Sequence, residues 1–129
     1  SYPEVTIGIP TIVGAIRLPQ RINWADAMEL LLLGEPISAS RAKEMGFVWK
    51  VCESENLMGE AQKLAQNLCH SAPLAVRATK EVATRTRNMG WIEAARFGET
   101  MRIVANQTQD ASEGKTAFKE KRKPEWKGN

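Results

Sequence analysis

Few residues in this sequence can do chemistry. Glu4 follows Pro3 at the head of the run Val5-Thr6-Ile7-Gly8-Ile9. A carboxylate there can move a proton as a general acid or base, or it can face solvent, as acids in strands commonly do. Near the other end, Phe118 stands among Lys115, Lys119, Lys121, Arg122 and Lys123. An aromatic ring flanked by cations can stack a base and pair its phosphates, or it can anchor an otherwise solvated basic face. The single histidine, His70, closes a segment with an apolar stripe, where its charge complements a helix dipole. Cys52 and Cys69 lack CxxC spacing and a second histidine, so they form no zinc site and read as reduced, packed thiols of a cytosolic protein. The sequence contains no nucleophile elbow and no glycine-rich phosphate loop.

The elements that carry these residues are mostly helical. Val5, Ile7 and Ile9 alternate with Thr6 and Gly8, the period-two pattern of a half-buried strand that Pro10 ends. A turn and a short helix follow up to Pro19. Asn23 is a helix N-cap before WADAMELLLL, and Gly34 is the stop. Ser38 caps a short helix that Gly46 terminates, and FVWKVC, residues 47 to 52, reads as a second brief strand. Behind Ser54, the residues Leu57, Ala61, Leu64, Ala65 and Leu68 make one apolar stripe. Pro73 starts another helix that stops near Gly90. Ala94, Phe97, Met101 and Val104 share a face of the next helix. Asp110 with Glu113 reads as the capping box of a last helix closed by Pro124. Leu57, Leu64, Leu68, Ala94, Phe97, Met101 and Val104 are therefore expected on buried or interface faces. Trp24, Trp49 and Trp91 are expected in the core, with Trp126 docking the tail.

The chain has 129 residues, 26% of them charged and 43% hydrophobic, which is one domain's worth of ordinary globular composition. Its longest undiluted apolar stretch is Leu30 to Leu33, so no membrane span is expected. The net charge is +3, but residues 115 to 127 alone carry +4, and the remainder sums to −1. Basicity is thus a local patch. Nucleic acid is not the expected partner, because backbone-tracking proteins spread Lys and Arg along a longer groove. Two strands this brief cannot make an independent sheet. With the abrupt start at Ser1, this leads us to expect a piece of a longer protein.

In order, the blocks PEVTIGIP, RLP, ADAMELLLLGEPISASRAKEMGFVWKV, LAQNLCHSAPLAVRATKE and DASEGKTAFKEKRKPEWKG resemble the C-terminal half of a crotonase-family protein, the enoyl-CoA hydratase/isomerase superfamily. The likeness covers essentially the whole chain and includes the family's G-x-x-I-x-A-x-x-A-x-x-x-G-hydrophobic-V segment, here Gly34 through Val48. The RLP block and the ending AFKEKRKPEWKG are especially similar to a branch of carnitinyl-CoA dehydratases and related bacterial enoyl-CoA hydratases.

The resemblance implies a mainly α fold: the C-terminal helical, trimerisation segment of the crotonase ββα spiral, with one or two short strands at its front. Residues 1–20 would be the last strand and turn of the spiral core, and residues 21–129 the helical segment. It implies a cytoplasmic enzyme whose full-length form is a homotrimer or hexamer, acting on an acyl-CoA thioester by hydration, dehydration or isomerisation. No cofactor is implied beyond the coenzyme A that the substrate carries. Glu4 matches the second catalytic glutamate of the family. Thr11 occupies the place whose backbone N–H helps position the catalytic water. Phe118 and Lys121 match residues that contact the adenine and phosphate end of CoA in a neighbouring subunit. The oxyanion donors and the other catalytic glutamate would lie upstream, so this segment alone is expected to be inactive. Ile9 to Ala15 is one residue shorter and poorer in glycine than the family's usual turn. A Cβ restricts backbone that glycine leaves free, which leaves hydration and isomerisation both open. The alternative is a non-catalytic module for oligomerisation or CoA binding.

Overall fold

A computed structural model describes residues 1–129. It has seven α-helices, α1 (Ile12–Arg17), α2 (Trp24–Leu33), α3 (Ala39–Glu44), α4 (Leu57–Cys69), α5 (Pro73–Arg85), α6 (Trp91–Asn106) and α7 (Gln109–Glu120), together with short 3-10 turns. The chain forms two compact units, Ser1–Leu57 and Met58–Asn129.

Neither expected strand is present. Residues Pro3–Ile7 form a 3-10 helix with Pro3 in its first turn, and Gly8 ends it in the left-handed region at φ 79°. The Ile9 N–H donates to the Glu4 carbonyl at 3.0 Å, and the Thr6 hydroxyl donates to the Pro3 carbonyl at 2.7 Å. With no neighbouring strand in the chain to exchange hydrogen bonds, local turns satisfy these polar groups, and the period-two pattern is overridden. The segment Phe47 to Cys52 is likewise irregular. The N–H groups of Phe47 and Val48 both turn back to the Ala42 carbonyl, at 2.9 and 3.2 Å.

In the first unit the caps lie where the sequence puts them. The Asn23 side chain accepts from the Asp26 N–H and the Ser38 side chain from the Arg41 N–H, both at 3.0 Å. Leu18, Ile22, Ala27, Leu30, Leu31 and Met45 form a core, with Tyr2, Met28 and Ile37 packed on it. The Arg41 guanidinium reaches Asp26 and Glu29 at 2.6 Å each, tying α3 to α2. Gly34, at φ 69°, ends α2 so close to the first turn that a Cβ there would stand 2.8 Å from the Thr6 methyl carbon.

The second unit packs α5 against α6 and α6 against α7, and only Asp110 and Ala117 are fully buried in it. The stripe Leu57, Leu64 and Leu68, like Val104, is exposed, while Ala94, Phe97 and Met101 are half-buried. Trp24, Trp49 and Trp91 correct the expectation of core positions, for they are 68%, 74% and 84% exposed. Units this small have too little interior to enclose every indole. Trp126 does dock the tail: its Nε1–H donates to the His70 carbonyl at 2.9 Å, and its ring lies against Gly114.

Candidate functional site

Glu4 is held on the 3-10 turn, whose backbone is closed by hydrogen bonds from Gly8 and Ile9. Its side chain is half-buried, and Oε2 is wholly removed from solvent with no hydrogen-bond partner. It is the chain's one buried side-chain polar atom without a partner. A buried carboxylate oxygen without an internal donor is unusual in a folded chain, where buried polar atoms are nearly always hydrogen-bonded.

Thr11 lies in the same unit, as the N-cap residue of α1, with an extended backbone (φ −81°, ψ 109°). Its carbonyl accepts from the Ala15 N–H, whereas its own N–H donates to no backbone carbonyl. Sequence reasoning overlooked Tyr2 and Gly14. A Cβ at position 14 would fall 2.7 Å from the Tyr2 ring and 2.8 Å from the Thr11 hydroxyl, so Tyr2, Thr11 and α1 meet at a point only glycine can occupy. The short, glycine-poor turn thus keeps its one glycine where backbone and ring touch.

The second unit carries the other two candidates. Phe118 is 85% exposed on α7, too exposed to be a core anchor. Lys121, three residues later, is the chain's only non-glycine residue with positive φ, at 55°. It ends α7 in a left-handed conformation. Its N–H turns back to Phe118 at 3.3 Å, and the Arg122 N–H turns back to Ala117 at 3.0 Å, the paired closure usually built on glycine.

Asp110 and Glu113 do not form the expected capping box. Thr108 caps α7, accepting from the Ala111 N–H at 3.1 Å, and the two carboxylates instead hold the returning tail. Asp110, 2% exposed, accepts from the Lys127 and Gly128 N–H groups at 2.7 and 2.9 Å. Glu113 accepts two bonds from the Arg122 guanidinium, at 2.5 and 2.9 Å, and one from the Glu125 N–H at 2.9 Å. The guanidinium and that N–H pull the Glu113 carboxyl down to about 2, and Glu113 with Glu120 raises Arg122 further above its ordinary value. The signal in the sequence was the acid-rich start of α7 facing a basic tail, which capping logic explained too easily.

A cleft of about 520 Å³ lies within the second unit between α5, α6 and the start of α7, lined by Ala78, Val82, Gly98, Met101 and Ala105 among others. It contains none of the four candidate residues. His70 and Cys69 are exposed, Cys52 is half-buried, and both thiols are free. No group of three or more His, Cys, Asp or Glu side chains is placed to hold a metal ion. No helix is long and apolar enough to cross a membrane.

Comparison with known proteins agrees with the helical architecture. The profile of the enoyl-CoA hydratase/isomerase family matches residues 1–129. The chain is 37% identical over 134 residues to a carnitinyl-CoA dehydratase of Salmonella arizonae, covering 100% of this chain and 51% of that protein. It is 39% identical over 134 residues to that of Escherichia coli, again with 51% of the relative covered. Among solved structures, an enoyl-CoA hydratase from Mycobacterium tuberculosis H37Rv superposes with a TM-score of 0.92 at 37% identity, over 98% of this chain and 51% of that one. One from Bacillus anthracis gives 0.93 at 34% identity, over 98% and 50%. The chain spans about half the length of the curated relatives it matches.

Proposed function

Because the chain belongs to the enoyl-CoA hydratase/isomerase family, we propose that it is the C-terminal half of an enzyme that hydrates, dehydrates or isomerises an enoyl-CoA thioester, with Glu4 as the proton-transferring carboxylate. The observation that carries this reading is the buried, unpartnered Glu4 Oε2. A carboxylate oxygen facing no internal donor is free to receive a proton from water or from the α-carbon of a thioester, or to return one. The enolate formed on proton removal needs oxyanion donors, which the reading assigns to the upstream half. The Thr11 N–H is the donor available to orient a water near Glu4. The substrate brings its own coenzyme A, and no other cofactor is required.

Phe118 and Lys121 take the far end of that coenzyme A. An exposed ring offers a face to adenine, and a cation three residues on offers itself to phosphate. The parent assembles as a homotrimer or hexamer in the cytoplasm. The exposed apolar faces of α4 and α6 supply the contact area. Those same faces favour the second reading, a non-catalytic oligomerisation or CoA-binding module.

Crotonyl-CoA hydration separates the readings. The full-length protein is expected to turn the thioester over, and this 129-residue segment alone is expected to be inactive. A full-length protein that binds CoA thioesters yet neither hydrates, dehydrates nor isomerises them supports the module.

A further inference from the structure

Lysine at position 121 is in conflict with its backbone. The closure that ends α7 places this residue in the left-handed region, where glycine fits without penalty and a Cβ does not. A strained residue persists only when its surroundings over-determine it, and such residues collect where function needs them. The Lys121 side chain is exposed and makes no hydrogen bond or ion pair within the chain, so nothing internal explains why an ammonium is kept there.

The surroundings do over-determine the backbone. Immediately after Lys121, the Arg122 guanidinium is gripped by Glu113, nine residues back on α7, through two bonds of 2.5 and 2.9 Å. It also bonds Glu120 at 2.7 Å. The chain then folds back along α7. Glu125 is held by Glu113, Lys127 and Gly128 are held by Asp110, and the Asn129 carbonyl accepts from Gln109 at 3.0 Å. The strap is anchored at the start and in the middle of α7, with Lys121 at its bend.

We propose that the Glu113–Arg122 clasp is a positioning device for substrate binding: it holds the backbone of Lys121 in its left-handed turn so that the ammonium is presented beside Phe118 to the phosphate end of the CoA thioester. This rests on the reading of Phe118 and Lys121 given above. Glu113 and Arg122 touch no substrate, because each is occupied by the other, and they act through the residue between them.

The test compares an enoyl-CoA with the corresponding enoyl-pantetheine thioester, which lacks the phosphorylated nucleotide, as substrates of the full-length protein. Lys121→Ala should raise the ratio of the two KM values about five-fold, the scale of one partly exposed charge-assisted contact. Glu113→Gln should raise the same ratio about three- to five-fold, with kcat for the CoA substrate unchanged. The double variant should be no worse than Lys121→Ala alone, because the clasp works through Lys121. Arg122→Lys keeps the charge and loses the two-pronged grip, and it should behave as Glu113→Gln does. It also serves as the second probe if that variant does not fold. The proposal is overturned if the clasp variants leave the ratio unmoved, impair both substrates equally, or add fully to Lys121→Ala. If Lys121→Ala itself leaves the ratio unmoved, the CoA reading falls and takes the proposal with it. A response to Lys121→Ala alone sinks the proposal and spares that reading.

Discussion

Replacing Asp110 tests how the tail is fixed, and the structure sets the size of the effect. The carboxylate is 2% exposed, and its two oxygens separately accept the N–H groups of Lys127 and Gly128. Hydrogen bonds to a charged acceptor contribute roughly 1.5–3 kcal/mol each. At the lower figure, Asp110→Ala should weaken tail docking by about 3 kcal/mol, or on the order of a hundred-fold in the docking equilibrium. Asp110→Asn keeps one carbonyl oxygen but turns an NH₂ group toward the other N–H. It should lose about half as much, ~1.5 kcal/mol, or ten-fold. The tail can open without the rest of the chain unfolding, so native-state hydrogen exchange at the amides of Lys127 and Gly128 is the direct assay. Their protection should fall by those factors while amides in the core of the first unit keep theirs. Equal losses in the two variants, or unaltered exchange at both amides, would refute the assignment of one bond to each oxygen.

Gly114→Ala places a Cβ 3.2 Å from the Trp126 ring, so the indole must give by a few tenths of an ångström, seen as altered tryptophan emission, while the roughly 1 kcal/mol that alanine gains over glycine inside α7 offsets the contact and the stability read from the urea midpoint should stay within about 1 kcal/mol of the parent. At Gly34, alanine meets both a positive φ and the Thr6 methyl carbon at 2.8 Å, so Gly34→Ala should destabilise by about 1–3 kcal/mol and lower kcat through the neighbouring turn that carries Glu4, read by denaturation and turnover together. Glu113 has its folded value depressed from 4.5 to about 2, so its stabilising contribution is complete above about pH 4.5 and is lost as pH falls through about 2. Acid titration followed at the Glu125 amide, which Glu113 holds, should therefore show a transition in that window that Glu113→Gln removes, and an unaltered titration at that amide in the variant contradicts the assignment.

Local punctuation was legible in the sequence wherever one residue's own chemistry decides the matter. Asn23, Ser38, Gly34 and Pro73 each act as their side chains or ring dictate, and the helices between them follow. The misreadings share a cause: they concern groups whose partners are distant in sequence. Val5, Ile7 and Ile9 alternate like a strand, but a strand needs a neighbour for its N–H and C=O groups, and in this chain Pro3 and Gly8 close a turn instead. Trp24, Trp49 and Trp91 begin or interrupt apolar patterns, which points to the core, although what covers an indole is not written in its flanking residues. Asp110 and Glu113 fit a capping box by spacing, and they turned out to serve a tail twelve to eighteen residues later. For the site, the types and places of Glu4, Phe118 and Lys121 came from the family likeness. The orphaned oxygen of Glu4 and the left-handed backbone of Lys121 are properties of packing and of the returning tail that residue types do not encode.

The central claim is that Glu4 moves the proton. Glu4→Gln keeps the side chain's shape and removes its capacity to accept or return a proton, so it tests that claim with little disturbance to packing. In the full-length protein, single-turnover measurement with an enoyl-CoA should show the chemical step slowed on the order of 10²–10⁴-fold, with CoA-thioester affinity within about two-fold of the parent. A Glu4→Gln protein that turns the thioester over at the parent rate would contradict the account.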